Sequence, residues 1–136
     1  MSKLTEFIFE GQKLSVKFVE TMTVKEGVEC DVYTFVDDGT KDLAIVHVKQ
    51  GFKTPLQRIL RGDKTVEGYV DGKATLTIAD ANGEPQIYQF GPGQVNQPVT
   101  VTVGQLMQWS AEDEGLTFYE VCQPPYEEGR FENIPD

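Results

Sequence analysis

Apolar and polar residues alternate with a period of two along most of the chain, which is the spacing of a half-buried β-strand. Branched and aromatic residues fill many of the apolar positions, and these residue types pack well on a pleated surface. No segment keeps an apolar spacing of 3.6 residues through three helical turns. The pattern predicts strands over residues 14–19, 23–25, 32–36, 43–49, 74–78, 86–90, 99–103 and 116–122. We therefore expect an all-β chain.

Short segments rich in glycine, aspartate and asparagine separate the predicted strands. Asp71-Gly72 and Asn82-Gly83 are predicted to be hairpin turns, because both dipeptides adopt positive φ at little cost. The strands then recur about every eight to twelve residues, which is typical of a sandwich or a barrel. The sequence contains no internal repeat, low-complexity stretch or linker. We therefore predict one domain over residues 1–136.

The balance of charge excludes several kinds of partner. Twelve basic and 22 acidic residues give a net charge of −10, which repels phosphate backbones and anionic lipids. Nucleic acid and membranes are therefore not expected as partners. No apolar run approaches the ~20 residues of a transmembrane helix, and the N-terminus lacks the pattern of a secretory signal. The expected location is cytoplasmic.

The acidic residues are concentrated near the end of the sequence. Residues 111–136 carry eight carboxylates and one basic residue, Arg130. We expect a solvated surface here, with an acidic docking segment as the alternative. The two cysteines, Cys30 and Cys122, form no CxxC pair and are expected to be thiols, with Cys122 buried among apolar neighbours.

The stretch from Gly51 to Gly72 has a regular frame of spaced residues. Gly51 and a Thr-Pro-Leu segment lead to Gln57 and Ile59, and Thr65 follows before the closing glycine. This frame resembles the first motif of the cupin family, in which a glycine precedes two histidines, a glutamate and a final glycine. In the resemblance, Gln57 and Ile59 take the histidine positions and Thr65 takes the glutamate position.

A second segment resembles the other cupin motif. Met107 stands three residues after Gly104, in the position of the family's third histidine, and Trp109 follows it. Together the two motifs cover residues 42–126. The resemblance implies an all-β, cupin-type double-stranded β-helix, also called a jelly-roll barrel. Residues 1–41 would then add N-terminal strands, and residues 123–136 would form a C-terminal tail.

The four substitutions remove the usual ligands of a cupin metal. First-row metals in such sites need imidazole nitrogens and a carboxylate oxygen, and isoleucine has no donor atom at all. His47 is the single histidine of the chain, so a site with two histidines cannot be rebuilt nearby. We therefore expect no metal and no cofactor.

The resemblance and the alternation of strands also predict which side chains face the barrel interior. A pocket lined by these side chains would have an apolar wall and a polar wall, as small-molecule sites do. Ile59 and Met107 are alternatively plain core residues. The predicted ligand-binding residues are Gln57, Thr65, Glu67, Tyr69, Met107 and Trp109.

Two residues are candidate acids or bases. Glu67, if it is buried, would have a raised pKa and could exchange protons with a ligand. It would alternatively lie at the barrel mouth beside Lys64 or Arg58. His47 alternates with Val46 and Val48, so it faces away from the core if those valines face inward. Only a position beside Tyr69 or Glu67 would give His47 a role as base.

The residues before the motifs leave the oligomeric state open. The predicted strands over 14–19 and 32–36 would extend one sheet or cross to a second subunit, because an apolar strand left on an edge invites aggregation. The cupin resemblance implies a homodimer.

Three functions are compatible with these observations. The first is a metal-independent module that binds a small organic molecule in the barrel. The second is a metal-free isomerase, epimerase or lyase that uses Glu67 or His47 as base. The third is a structural or interaction protein with a filled barrel. The substitutions favour a binding module over an enzyme, because the family's catalytic centre is replaced.

Overall fold

The computed structural model describes residues 3–80 and 83–135, and this part of the chain contains ten strands and no helix. The strands are β1 (Glu6–Phe9), β2 (Gln12–Lys25), β3 (Val28–Phe35), β4 (Asp38–Val48), β5 (Leu56–Ile59), β6 (Lys64–Ala79), β7 (Gln86–Phe90), β8 (Val99–Thr102), β9 (Leu106–Gln123) and β10 (Phe131–Ile134). The prediction of an all-β chain is confirmed. Within these residues, no helix is long and apolar enough to cross a membrane.

All ten strands pair antiparallel in one continuous sheet that folds over on itself into two layers. The first layer contains β1, β2, β3, β4, the second half of β9, the first half of β6, and β8. The second layer contains β10, β5, the first half of β9, the second half of β6, and β7. Since β6 and β9 run through both layers, their bend closes the barrel.

The bend lies at Gly72, where the register of β6 against β9 shifts on either side. Gly72 has a φ of 95°, and a Cβ atom there would lie 2.2 Å from the carbonyl oxygen of Gly115. Only glycine permits this close approach of the two strands. The predicted hairpin turn at Asp71-Gly72 is therefore wrong, because the positive φ serves a bulge inside one strand.

The other predicted turn, Asn82-Gly83, involves one residue outside the described part of the chain. The strands on either side of it, β6 and β7, pair antiparallel from Ala74 with Phe90 to Ile78 with Gln86. The Gly83 amide donates a hydrogen bond to the carbonyl of Asp80 at 3.3 Å.

Two hydrophobic clusters hold the layers in place. The larger one lies between the layers, with Trp109, Phe118, Ile59 and Leu76 among its buried members. The smaller one lies on the outer side of the first layer, where Phe9 and Val16 of the β1–β2 hairpin cover Leu43 and Val121. Strand alternation therefore buries both faces of β4 and β9.

The strands before the motifs pair within the chain. β2 pairs with β3 over most of its length, and β1 covers only the part of β2 from Gln12 to Ser15. The remaining edge of β2 carries Lys17, Lys25 and two register shifts, which are features that discourage edge-to-edge pairing. The homodimer stays a prediction.

The segment predicted as a C-terminal tail contributes a strand to the second layer. β10 pairs with β5, with Phe131 opposite Ile59 and Asn133 opposite Gln57. Phe131 packs against the barrel core and Arg130 is buried. Phe131 and Arg130 hold this acidic segment on the barrel, although most of the carboxylates of the segment face solvent.

Candidate functional site: a carboxyl pair inside the barrel

Two glutamates lie side by side on the interior face of the first layer. Glu67 of β6 is the cross-strand partner of Glu120 of β9, and the row continues through Ala44 of β4 to Val32 of β3. Cross-strand partners project from the same face of a sheet. Ala44 packs against the barrel core, so the whole row faces the interior.

Glu67 is completely buried, with 0% of its surface exposed. Its Oε1 accepts a hydrogen bond of 2.8 Å from the indole Nε1–H of Trp109. Its Oε2 has no partner among the described residues, and neither has the buried hydroxyl of Thr65, two residues earlier on the same face. Two polar atoms of one strand thus stand unpaired in the interior, which is rare for buried groups.

The environment of the pair raises the pKa of both carboxyl groups. Burial is the largest cause for Glu67, and the charge of Glu120 adds to it; the hydrogen bond from Trp109 acts in the opposite direction. Burial also raises the pKa of Glu120. Because two carboxylates at close range repel each other, the pair retains a proton above the ordinary pKa of glutamate.

Aromatic rings form the wall next to the pair. Trp109 stacks on Phe118 with a centroid distance of 4.5 Å and an angle of 14° between the rings, and its other contact is with Phe90 at 5.2 Å. Tyr69 stacks on Phe90 at 6.0 Å, and its hydroxyl donates to the carbonyl of Gly72 at 2.7 Å. The site therefore combines hydrogen-bond acceptors with apolar rings.

The predicted site residues fall into two groups. Thr65, Glu67 and Trp109 come together around the carboxyl pair, with the Tyr69 ring nearby. Met107 packs in the core between the layers. Gln57 is opposite Met107 in the sheet but lies at the barrel edge, where its side-chain amide donates to Asn133 at 3.0 Å.

The residues in the cupin ligand positions do not fit a metal ion. Ile59 is buried in the core and offers only methyl groups, and Met107 offers one buried thioether. Gln57 donates its side-chain NH₂ to Asn133 Oδ1, so this residue brings one amide oxygen and neither imidazole nor carboxylate. In the described residues, no three histidine, cysteine, aspartate or glutamate side chains are grouped so that they could hold a metal ion. The carboxyl pair itself therefore defines the site.

His47 lies on the opposite face of the first layer from Glu67. Its Nδ1 is 3.1 Å from the hydroxyl of Thr117 and its Nε2 is 3.4 Å from Asp31 Oδ2. Val46 and Val48 on either side of it belong to the barrel core. The sheet thus separates His47 from Glu67. The two side chains therefore cannot act together on one substrate in the barrel.

The thiols lie in an acidic neighbourhood, Cys122 buried and Cys30 half-buried. Burial and the charge of Glu120 raise the pKa of Cys30 to about 12. The same causes raise the pKa of Cys122, whose expected burial is confirmed. These raised pKa values disfavour the thiolate, which is the nucleophilic form of cysteine.

Arg130 and Asp42 are site residues that the sequence did not indicate. Arg130 is 1% exposed, and its guanidinium donates to the carbonyls of Pro124, Lys64 and Gln123 at 2.8, 2.7 and 3.1 Å. Asp42 shares the interior face with Ala44, and its Oδ2 accepts a hydrogen bond from the Tyr126 amide at 2.9 Å. The only signal in the sequence was one arginine within an acidic segment.

Comparisons with known proteins identify the fold. No family model matches the sequence, and no curated protein matches it. Solved structures do match: oxalate decarboxylase from Bacillus subtilis has a TM-score of 0.72 and 17% identity, over 98% of this chain and 33% of the decarboxylase chain. This chain has the cupin fold, as the first motif predicted.

Two other structures show the same fold in different proteins. The capsular polysaccharide assembling protein CapF from Staphylococcus aureus has a TM-score of 0.68 and 12% identity, over 88% of this chain and 35% of CapF. KdgF from Halomonas sp. has a TM-score of 0.62 and 10% identity, over 81% of this chain and 90% of KdgF. The chain thus spans about a third of the length of the first two proteins. At these identities the likeness establishes the fold alone.

Proposed function

We propose that this protein binds a small organic molecule inside its barrel without a metal ion. The observation that carries the proposal is the pair of unpartnered, buried polar atoms, Glu67 Oε2 and Thr65 Oγ1. An unpaired buried acceptor costs about 1–3 kcal/mol, so some group normally satisfies it. Water, a proton shared with Glu120 and the polar group of a ligand are the possible partners of Glu67 Oε2.

Access to the pair supports a ligand. Val32, Ala44 and Glu120 face the interior in the same row as Glu67, yet all three are only half-buried. Cys30, on the same face of β3, is half-buried as well. Solvent therefore reaches Glu120 from this side of the barrel, whereas Glu67 and Trp109 are enclosed.

Occlusion of this side of the barrel tests the proposal directly. Ala44→Leu places a larger side chain next to Glu120, and Glu29→Gln is the matched control on the outer face of the same layer. In a ligand-observed NMR screen of small amines, alcohols and acids, we expect wild type and the control to share ligands that Ala44→Leu loses. Far-UV circular dichroism checks the fold, and Ala44→Val is the milder variant if Ala44→Leu is unfolded. Equal binding by all variants would place the ligands outside the barrel.

Metal analysis tests the other half of the proposal. We expect purified protein to contain no stoichiometric transition metal by elemental analysis, and native mass spectrometry of the same sample reports any retained organic mass. The reason is the donor set, which lacks imidazole near the carboxyl pair. One tightly held metal ion per chain would contradict a metal-independent site.

A metal-free enzyme is the second candidate, favoured by the raised pKa of the carboxyl pair. A carboxyl group that titrates closer to neutral pH is a better proton-transfer catalyst. With dihydroxyacetone as a probe in D₂O, such an enzyme would exchange the hydrogens next to the carbonyl. We expect Glu67→Gln to abolish this exchange and His47→Asn to leave it unchanged. The absence of exchange in wild type would favour binding alone.

A further inference from the structure

The charges that face the barrel interior are mainly negative. Glu67, Glu120 and Asp42 project from three neighbouring strands of the first layer. Arg130 is the basic side chain beside them, but its hydrogen bonds go to three backbone carbonyls rather than to the carboxyl groups. Their environment raises the pKa of the Cys30 and Cys122 thiols, which favours the neutral, protonated form.

Three buried side-chain atoms of the described residues lack a partner: the acceptor Glu67 Oε2, the hydroxyl of Thr65 and Arg130 Nε. Glu67 Oε2 is completely buried and lacks a donor, while Oε1 already accepts from Trp109. A carboxylate ligand would add a further negative charge beside three carboxyl groups in a poorly solvated space, which is strongly unfavourable. A ligand with N–H donors and a positive charge would satisfy the acceptor and neutralise part of the charge.

Aromatic rings close to the carboxyl pair favour the same kind of ligand. Phe118 is on the interior face two residues before Glu120, and its ring stacks on Trp109. The Trp109 indole donates a hydrogen bond to Glu67. Organic ammonium groups bind well where ring faces or edges and carboxylates meet, since the rings accommodate the carbon atoms and the carboxylate takes the charge.

We propose that the molecule held in the barrel is a small organic ammonium ion, with its nitrogen bound between Glu67 and Glu120 and its carbon atoms against the aromatic wall. This inference rests on the proposed binding function and names the ligand class for that site. A carboxylate ligand would find one uncommitted basic donor, Arg130 Nε, because the other guanidinium nitrogens donate to backbone carbonyls.

The single tryptophan provides a specific reporter for the test. The indole N–H of Trp109 donates to Glu67, so its signal in a ¹H–¹⁵N NMR spectrum responds to any ligand that reaches the pair. The probes are propylammonium, 1-propanol and propionate, which are similar in size and differ in charge. We expect propylammonium to shift the indole signal in a saturable way, 1-propanol to bind at least about tenfold more weakly, and propionate to cause no shift.

Two isosteric variants and one control locate the nitrogen. Glu67→Gln and Glu120→Gln keep the shape of the side chains, and each should weaken propylammonium binding by about tenfold or more. Glu29→Gln removes the same charge from the outer face and should leave the affinity unchanged. Unchanged affinity in both interior variants would overturn the assignment.

The three probes also separate this inference from the function on which it rests. If propionate or 1-propanol saturates the indole shift at a lower concentration than propylammonium, the barrel binds small molecules but the cationic class is wrong. If none of the three probes produces a saturable shift in wild type, both the ligand class and the binding function are overturned.

Discussion

Replacement of Arg130 by leucine is expected to lower the free energy of unfolding by about 3–5 kcal/mol. The guanidinium donates to the carbonyls of Lys64, Gln123 and Pro124, and it holds the segment before β10 against the first residue of β6 and the last residue of β9. Its removal leaves buried acceptors without donors and removes a positive charge that favours ionisation of Asp42. Urea denaturation followed by tryptophan fluorescence measures the loss.

Arg61→Leu is the matched control for this prediction. Arg61 is exposed and makes one hydrogen bond of 3.2 Å to the carbonyl of Gly129, so its loss should cost less than about 1 kcal/mol. Hydrogen exchange adds a local measurement: the amides of β10 should lose protection in Arg130→Leu before those of β4 do. Equal, small losses of stability in both variants would contradict a structural role for the buried guanidinium.

Arg130 also marks what a sequence pattern cannot reveal. A period of two identifies the strands that bury one face, and the segments over 43–49, 74–78 and 116–122 all lie in strands of the barrel. The pattern missed β1, β5 and β10, which have four residues each. Four residues contain few alternations, although β8 of the same length was predicted. Phe9 and Phe131 hold β1 and β10 by contacts distant in sequence.

Local turn chemistry was misleading at the bend of the barrel. Asp71-Gly72 has the composition of a hairpin turn, yet β6 continues through it for 16 residues. The Asp-Gly dipeptide indicates only that a positive φ is accessible at the glycine. A positive φ is needed in some β-bulges as well as in hairpin turns. Whether the chain reverses or bends is decided by β9, since it pairs with β6 on both sides of Gly72.

The sequence predicted the site residues on β6, but its prediction of the other site residues was incomplete. Alternation from the motif frame placed Thr65 and Glu67 on one face, and the structure brings them to Trp109. The partner that matters most for the chemistry, Glu120, was not predicted as a site residue. Cross-strand register between β6 and β9 creates this pair, and register between strands distant in sequence is not encoded in either segment alone.

Substitution of Glu67 by glutamine is expected to stabilise the protein near neutral pH by about 1–3 kcal/mol, because it removes an unpaired buried acceptor. The folded state raises the pKa of Glu67 above its ordinary value of 4.5. Between these two pKa values the folded chain binds more protons than the unfolded chain, so the stability of wild type falls as pH rises. The slope reaches about 1.4 kcal/mol per pH unit for each proton.

Glutamine reproduces the protonated carboxyl group, since its oxygen accepts from the Trp109 indole and its NH₂ group donates to Glu120. The difference in unfolding free energy between Glu67→Gln and wild type should therefore be small in acid and grow as pH rises through the window. Comparison of the two proteins cancels the titration of distant groups, and Glu120, Asp42, Cys122 and Arg130 are the ionisable neighbours that remain in both. Denaturant titrations across pH measure the difference, with Glu29→Gln as the exposed control. A difference that is constant with pH would mean that folding does not raise the pKa of Glu67.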